Sequence, residues 1–161
     1  MDREHGGGRR GLGQVEAELF PACAGSYALW FTLAQPAEGH VGRLGWCVFP
    51  AGGYVYLGSA LGPGGLRGRL GRHLRPVLRP HWHIDVFRAW AVLSGVSFRC
   101  APQRLECAWV GLLLAQGAEA AVRGFGASDC TAGCPAHLLR LPPGLLPEEG
   151  ARLLGAAWVG G

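Results

Sequence analysis

Lysine and asparagine are absent from this 161-residue chain, and methionine occurs once. All fifteen basic side chains are therefore arginine. A skew of that kind looks like genome composition and gives the number of arginines no weight by itself. Their placement carries more information. Between residues 60 and 90, Arg67, Arg69, Arg72, Arg75, Arg79 and Arg88 stand against Asp85 alone, so this segment holds the whole positive excess of a chain with net charge +4. Such a concentration suits a partner that carries phosphate.

Long apolar runs are missing too. The longest, CAWVGLLLA at 107–115, falls short of the roughly 20 residues that a membrane-spanning helix needs, which excludes a bilayer span. The opening MDREHGGGRRGLG has no apolar segment of the secretory kind. Residues 1–24 therefore read as a disordered or loosely attached arm, and the chain as a cytoplasmic protein. In that compartment its six cysteines are expected as free thiols or metal ligands rather than disulfides. No internal repeat is present, and the length suits one domain with its own core. That domain is assigned to residues 25–141, with 142–161 as a tail carrying one weak helix from Pro147.

What is present alternates between strand and helix signals. GSYALWFTL at 25–33, RLGWCVF at 43–49 and YVYLG at 54–58 are β-rich runs separated by turn residues, which predicts an antiparallel meander. On the third run Tyr54, Tyr56 and Gly58 share one face, read as polar-aromatic, while Val55 and Leu57 take the other, read as core. GLRGRLGRHLR at 65–75 puts Leu66, Leu70 and Leu74 on a helical stripe and Arg69 beside His73, one turn apart. Pro76 is expected to end this helix at Arg75. HIDVFRAWAVL predicts a short helix, GVSFRC a last core strand, and Pro102–Gln116 a stronger helix with Leu105, Ala108, Trp109, Leu112 and Leu113 on its apolar face. Glu106 lies in its first turn. A glycine-rich loop, GFGASDCTAGC, and a short strand at HLLRL follow. The fold class is α+β, a small antiparallel sheet of three or more strands flanked by helices.

Taken singly, the polar residues have plain explanations. Tyr54 and Tyr56 suit a half-buried strand face, and Glu106 complements a helix dipole. Arg67, Arg72, Arg75 and Arg79 suit a solvated face. Cys130, Cys134 and His137, with His81 or His83 as a fourth ligand, have spacing compatible with structural zinc, although C-x3-C is a weak signal. Trp82 reads as core, and Asp85 as a group that could fix an imidazole tautomer.

Taken together, the landmarks GSY at 25–27, YLG at 56–58, Arg69-x-x-x-His73 and Glu106 resemble the GIY-YIG nuclease superfamily. The ordered set VGRLG, GGYVYLGSALGPGGL, RLGRHLR, HWHID, LEC, GFGASDC and HL resembles one branch of it, the DUF123 family, whose members are sometimes fused to endonuclease III. The resemblance implies a three-stranded sheet with flanking helices and a metal-dependent endonuclease acting on DNA, in DNA repair. It implies Tyr27 and Tyr56 as paired tyrosines, with Tyr56 positioning or deprotonating the attacking water. Arg69 would hold the phosphate, His73 would assist, and Glu106 would bind one Mg²⁺ or Mn²⁺. Arg67, Arg72, Arg75 and Ser59 would bind phosphate or nucleic acid, and His81, His83, Ser128 and Asp129 would support the site. Many superfamily members carry a late asparagine that this chain lacks, leaving Ser128 or Asp129 to replace it. A catalytically weak nucleic-acid-binding module, accessory to a repair enzyme, is the other function compatible with these residues. Gly58 is expected to let phosphate or backbone approach closely, and Tyr54 to contact substrate or merely cover the sheet.

Overall fold

A computed structural model describes residues 17–160, so all but 17–24 of the proposed N-terminal arm lies outside the described residues. A 3-10 turn at Ala17–Leu19 leads into β1 (Gly25–Leu33), β2 (Ala37–His40), β3 (Trp46–Phe49) and β4 (Gly52–Ala60). Then come α1 (Gly65–Leu74), α2 (His83–Phe87), β5 (Val92–Cys100), α3 (Glu106–Ala115), β6 (Leu138–Arg140), α4 (Pro147–Leu153) and β7 (Ala157–Gly160). The architecture is α+β. Five strands form an antiparallel sheet in the order β6-β4-β1-β5-β7, and β2 and β3 form a separate two-stranded ribbon.

Strand alternation sorts the core into two layers. Tyr27, Leu29, Phe31, Tyr54 and Tyr56 face one side, where Leu66 and Leu70 of α1, Ile84 and Phe87 of α2, Phe49 of β3 and Phe125 cover them. Ala28, Trp30, Val55 and Leu57 face the other, beneath Trp109, Val110 and Leu113 of α3 and Leu154 after α4. Both faces of β4 are thus buried, and no polar-aromatic face is left open. Tyr54 is fully buried, stacked near Phe49 and Phe87, with its hydroxyl donating to the Pro50 carbonyl. It covers the sheet and does not reach the site. Buried Trp30 is also satisfied, its indole N–H donating to Ser97 Oγ at 2.9 Å.

Helix α1 starts where backbone supplies its cap. Gly65 has φ +56°, and a Cβ there would lie 2.3 Å from the carbonyl oxygens of Ala22 and Cys23. That close approach lets the Cys23 and Pro21 carbonyls accept from Leu66 and Arg67, whose N–H groups have no partner within the helix. The helix stops at Leu74, with Arg75 extended before Pro76 (φ −81°, ψ 154°), as the proline requires.

Four expectations are corrected. The strands do not form a meander: β1 pairs directly with β4, while β2 and β3 pair only with each other, because Pro50 and Gly52 release the chain between ribbon and sheet. On α3, Val110 is buried while Ala108 and Leu112 are exposed, since the apolar run makes every face of the helix look like core. The tail adds a strand as well as a helix, β7 pairing with β5 along Gly95–Phe98. Finally, Cys23 and Cys100 are joined in a disulfide across 77 residues, against the expectation of free thiols; β1 and β5 lie side by side and bring the two together.

Candidate active site

A cleft of about 320 Å³ opens at the end of the sheet where β1 begins and β4 ends. Tyr27, Tyr56, Ser59, Arg69, His81, His83, Glu106, Ser128 and Asp129 all line it. His73 stands immediately behind, its Nε2 hydrogen-bonded to Tyr27 Oη at 2.8 Å. Arg67, Arg72 and Arg75 are not among the lining residues. Arg67 Nε donates to the Phe20 carbonyl at 2.9 Å and Arg75 Nε to the Gly71 carbonyl at 3.2 Å, so both are tied back to the fold.

The paired tyrosines come from adjacent strands. Tyr27 lies opposite Gly58 and Leu29 opposite Tyr56, which puts both phenols on one face. A Cβ on Gly58 would sit 2.4 Å from Tyr27 Oη. The space left at Gly58 is therefore occupied by the tyrosine ring rather than by substrate. Burial raises the Tyr27 phenol to about 12, with the Arg69 charge opposing. Burial raises Tyr56 further, aided by Tyr27 beside it, so neither phenol ionises near neutral pH. His73 moves the other way, to about 3, because it is buried and faces Arg88 and Arg69. It is a neutral imidazole with one nitrogen on Tyr27 and Nδ1 buried without a partner among the described residues.

Trp82 is a half-buried platform at the cleft edge rather than plain core. The Arg72 guanidinium lies 3.5 Å from its ring centroid and that of Arg69 5.0 Å, with the His73 ring also against it. Arg69 additionally donates to the Ser59 carbonyl at 3.3 Å. Asp85 accepts from the His81 and Trp82 backbone N–H groups at 2.8 and 2.9 Å and pairs with Arg72 at 3.7 Å. It caps α2 and fixes no imidazole, in contrast to the sequence expectation.

Glu106, the first residue of α3, is 7% exposed, and its Oε2 is buried without a hydrogen-bond partner among the described residues. Its Oε1 lies 3.7 Å from Arg104, which also lines the cleft. Ser26 sets this helix end against the sheet: its Oγ accepts from Leu105 N–H at 2.9 Å and bonds Ser59 Oγ at 2.8 Å. Sequence reasoning passed over Ser26 and Arg104. Ser26 sits within the GSY landmark and Arg104 two residues before Glu106, so neighbourhood was the available signal.

Cys107, Cys130, Cys134 and His137 place one ligand atom each within 4.8 Å of one another and could hold a metal ion. The fourth member is Cys107, not His81 or His83. His83 Nδ1 is engaged elsewhere, accepting from Gly126 N–H at 2.9 Å, and His81 is exposed and outside the cluster. Cys107 went unassigned because it lies far in sequence from C-x3-C-x2-H, inside an apolar helix.

No curated protein and no solved structure matches the chain. A family model, described as domain of unknown function DUF123, matches residues 26–150. These residues hold every strand of the sheet but β7 and every wall of the cleft, and the chain belongs to the DUF123 family.

Proposed function

We propose that the cleft hydrolyses phosphodiester bonds of DNA with one Mg²⁺ or Mn²⁺ at Glu106. The observation that carries this reading is the convergence of Tyr27, Tyr56, Arg69 and Glu106 on one cleft, with His73 bonded to Tyr27 behind it. The resemblance to GIY-YIG nucleases names the same five residues. Glu106 fits a hard cation because it offers a buried carboxylate oxygen that nothing in the described chain satisfies. A bound Mg²⁺ or Mn²⁺ supplies Lewis-acid polarisation of a phosphoryl oxygen and lowers the pKa of water.

The chain's own groups do the rest. Arg69, half-buried and braced by the Ser59 carbonyl and Trp82, presents a forked donor to the nonbridging oxygens, where charge grows in the transition state. Tyr56 directs its hydroxyl to a water. Tyr27 can take a proton from that water while passing its own to His73 Nε2. In the free chain His73 is a feeble base, held down by burial and by Arg88 and Arg69. A phosphate between Arg69 and the tyrosines offsets those cations and raises its basicity. The water oxygen then bonds phosphorus as the bond from phosphorus to the leaving oxygen breaks, and that oxygen takes a proton from solvent.

A second reading keeps the cleft as a DNA-binding surface without turnover, accessory to a repair enzyme; the raised phenol pKa values favour it. Labelled branched, nicked, abasic and single-stranded DNA, with RNA as a further arm, are incubated with Mg²⁺ or Mn²⁺. Cleavage of at least one substrate is expected, lost in Glu106→Ala and Tyr56→Phe while circular dichroism is unchanged. Undiminished cleavage by both variants sinks the assignment. Salt-sensitive affinity with no cleavage under any metal leaves the binding module.

A further inference from the structure

Cys107, Cys130 and His137 line the cleft together with Glu106, and Cys134 joins the three in one cluster. Cys107 belongs to the first turn of α3, Cys130 and Cys134 to the loop that follows Phe125, and His137 to the residue before β6. Cys107 Sγ lies 3.7 Å from Cys130 Sγ and 3.9 Å from His137 Nε2. A tetrahedral zinc with bonds of about 2.3 Å to sulfur and about 2.0–2.1 Å to nitrogen requires edges of about 3.8 Å between sulfurs and about 3.6 Å from sulfur to nitrogen. The arrangement is thus near ligand spacing already. His137 is itself anchored, its backbone N–H donating to the Phe125 carbonyl at 2.8 Å and its carbonyl accepting from Leu57 N–H of β4 at 2.9 Å.

We propose that these four residues form a Cys₃His site for a structural zinc ion that clamps the 124–137 loop to the start of α3. Three thiolates and an imidazole select a borderline-soft ion such as zinc over Mg²⁺ or Mn²⁺, which take oxygen ligands. Four protein ligands leave no open position, so the ion is structural and not the one that acts on substrate. Binding releases the thiol protons to solvent and changes no oxidation state. The clamp has a local consequence. Cys107 follows Glu106 directly, and Ser128 and Asp129 sit two and one residues before Cys130, so a single ion fixes two walls of the cleft. The proposal does not depend on the hydrolytic reading.

The test is metal content. Protein produced with zinc in the medium and purified without chelator is expected to carry one zinc per chain. After exchange into cobalt it is expected to show the intense d–d bands and thiolate charge transfer of a tetrahedral site. Cys107→Ser is expected to lose or strongly weaken both signals, whereas Cys47→Ser, a buried cysteine outside the cluster, keeps them. Wild-type protein that retains no zinc and gives no cobalt bands overturns the proposal, as does a Cys107–Cys130 disulfide in protein isolated anaerobically. Both readouts concern the wild-type chain, so a variant that fails to fold cannot hide the answer. Zinc without nuclease activity sustains this site while removing the hydrolytic one.

Discussion

At the scale of single residues, four buried titratable side chains, His73 and the three tyrosines, give the chain its strongest pH dependence. His73 is neutral down to about pH 3 in the folded chain and titrates near its ordinary value when unfolded. The unfolded state therefore binds the extra proton first. The stability His73 confers is complete above about pH 6.5 and falls as pH drops toward 3, by up to about 1.4 kcal/mol per unit. Chemical denaturation across pH 7 to 4 is expected to show this loss, and His73→Gln to flatten it; an unchanged slope in the variant contradicts the account. The tyrosines behave oppositely. All three in the chain are buried, with Tyr27 and Tyr54 raised to about 12 and Tyr56 raised as well. Their protonated forms stabilise the fold below about pH 10, and this is lost as pH climbs through 12. Phenolate absorbance is expected to stay flat at pH 10 and to rise only with unfolding. A normal phenol titration in folded protein contradicts the burial of these rings.

At the scale of elements, the β1–β4 pair is what makes the site possible. Tyr27 reaches His73 only because its cross-strand partner is glycine. Gly58→Ala is expected to cost about 1–3 kcal/mol by overpacking, read as a lower denaturation midpoint, and to pull Tyr27 off His73. Equal stability means the ring has room elsewhere. Much at this scale was legible in the sequence. Strand alternation put Tyr54 and Tyr56 on one face of β4, although that face is buried rather than open, the family resemblance supplied Tyr27, helical spacing joined Arg69 to His73, and Pro76 marked the end of α1. The misses have physical causes. A sheet is built from pairings that are remote in sequence, so neither the β1–β4–β6 order nor the Cys23–Cys100 contact could be read locally. Helix α3 is apolar nearly all round, which hides which side faces the sheet. Trp82 looked like core because its partners, Arg69 and Arg72, lie ten or more residues away in a different element.

At the scale of the whole molecule, the sheet is open, with β6 and β7 as its edges. The Cys23–Cys100 bond ties the segment before β1 to the end of β5, and β7 forms the edge beyond β5. Closing a loop of this length removes unfolded-chain entropy, so Cys23→Ser with Cys100→Ser is expected to lower stability by about 2–4 kcal/mol. Gly25 at the start of β1 pairs with Cys100, so the bond lies at the same end of the sheet as the cleft. Chemical denaturation of the double variant checks this loss of stability, and an unchanged midpoint contradicts it. Among the described residues no helix is long and apolar enough to cross a membrane. The convergence of β1, β4, α1 and α3 on one cleft is the molecular feature from which the function is inferred.

The most direct measurement is the single-turnover cleavage rate of Glu106→Gln, relative to the unaltered chain, on the best-cut DNA with Mg²⁺ or Mn²⁺. Glutamine keeps the shape and removes the charge. A fall on the order of a hundredfold or more, with DNA affinity and zinc content preserved, is the predicted result. An unchanged rate contradicts the account, because a phosphodiesterase built around this carboxylate cannot spare it.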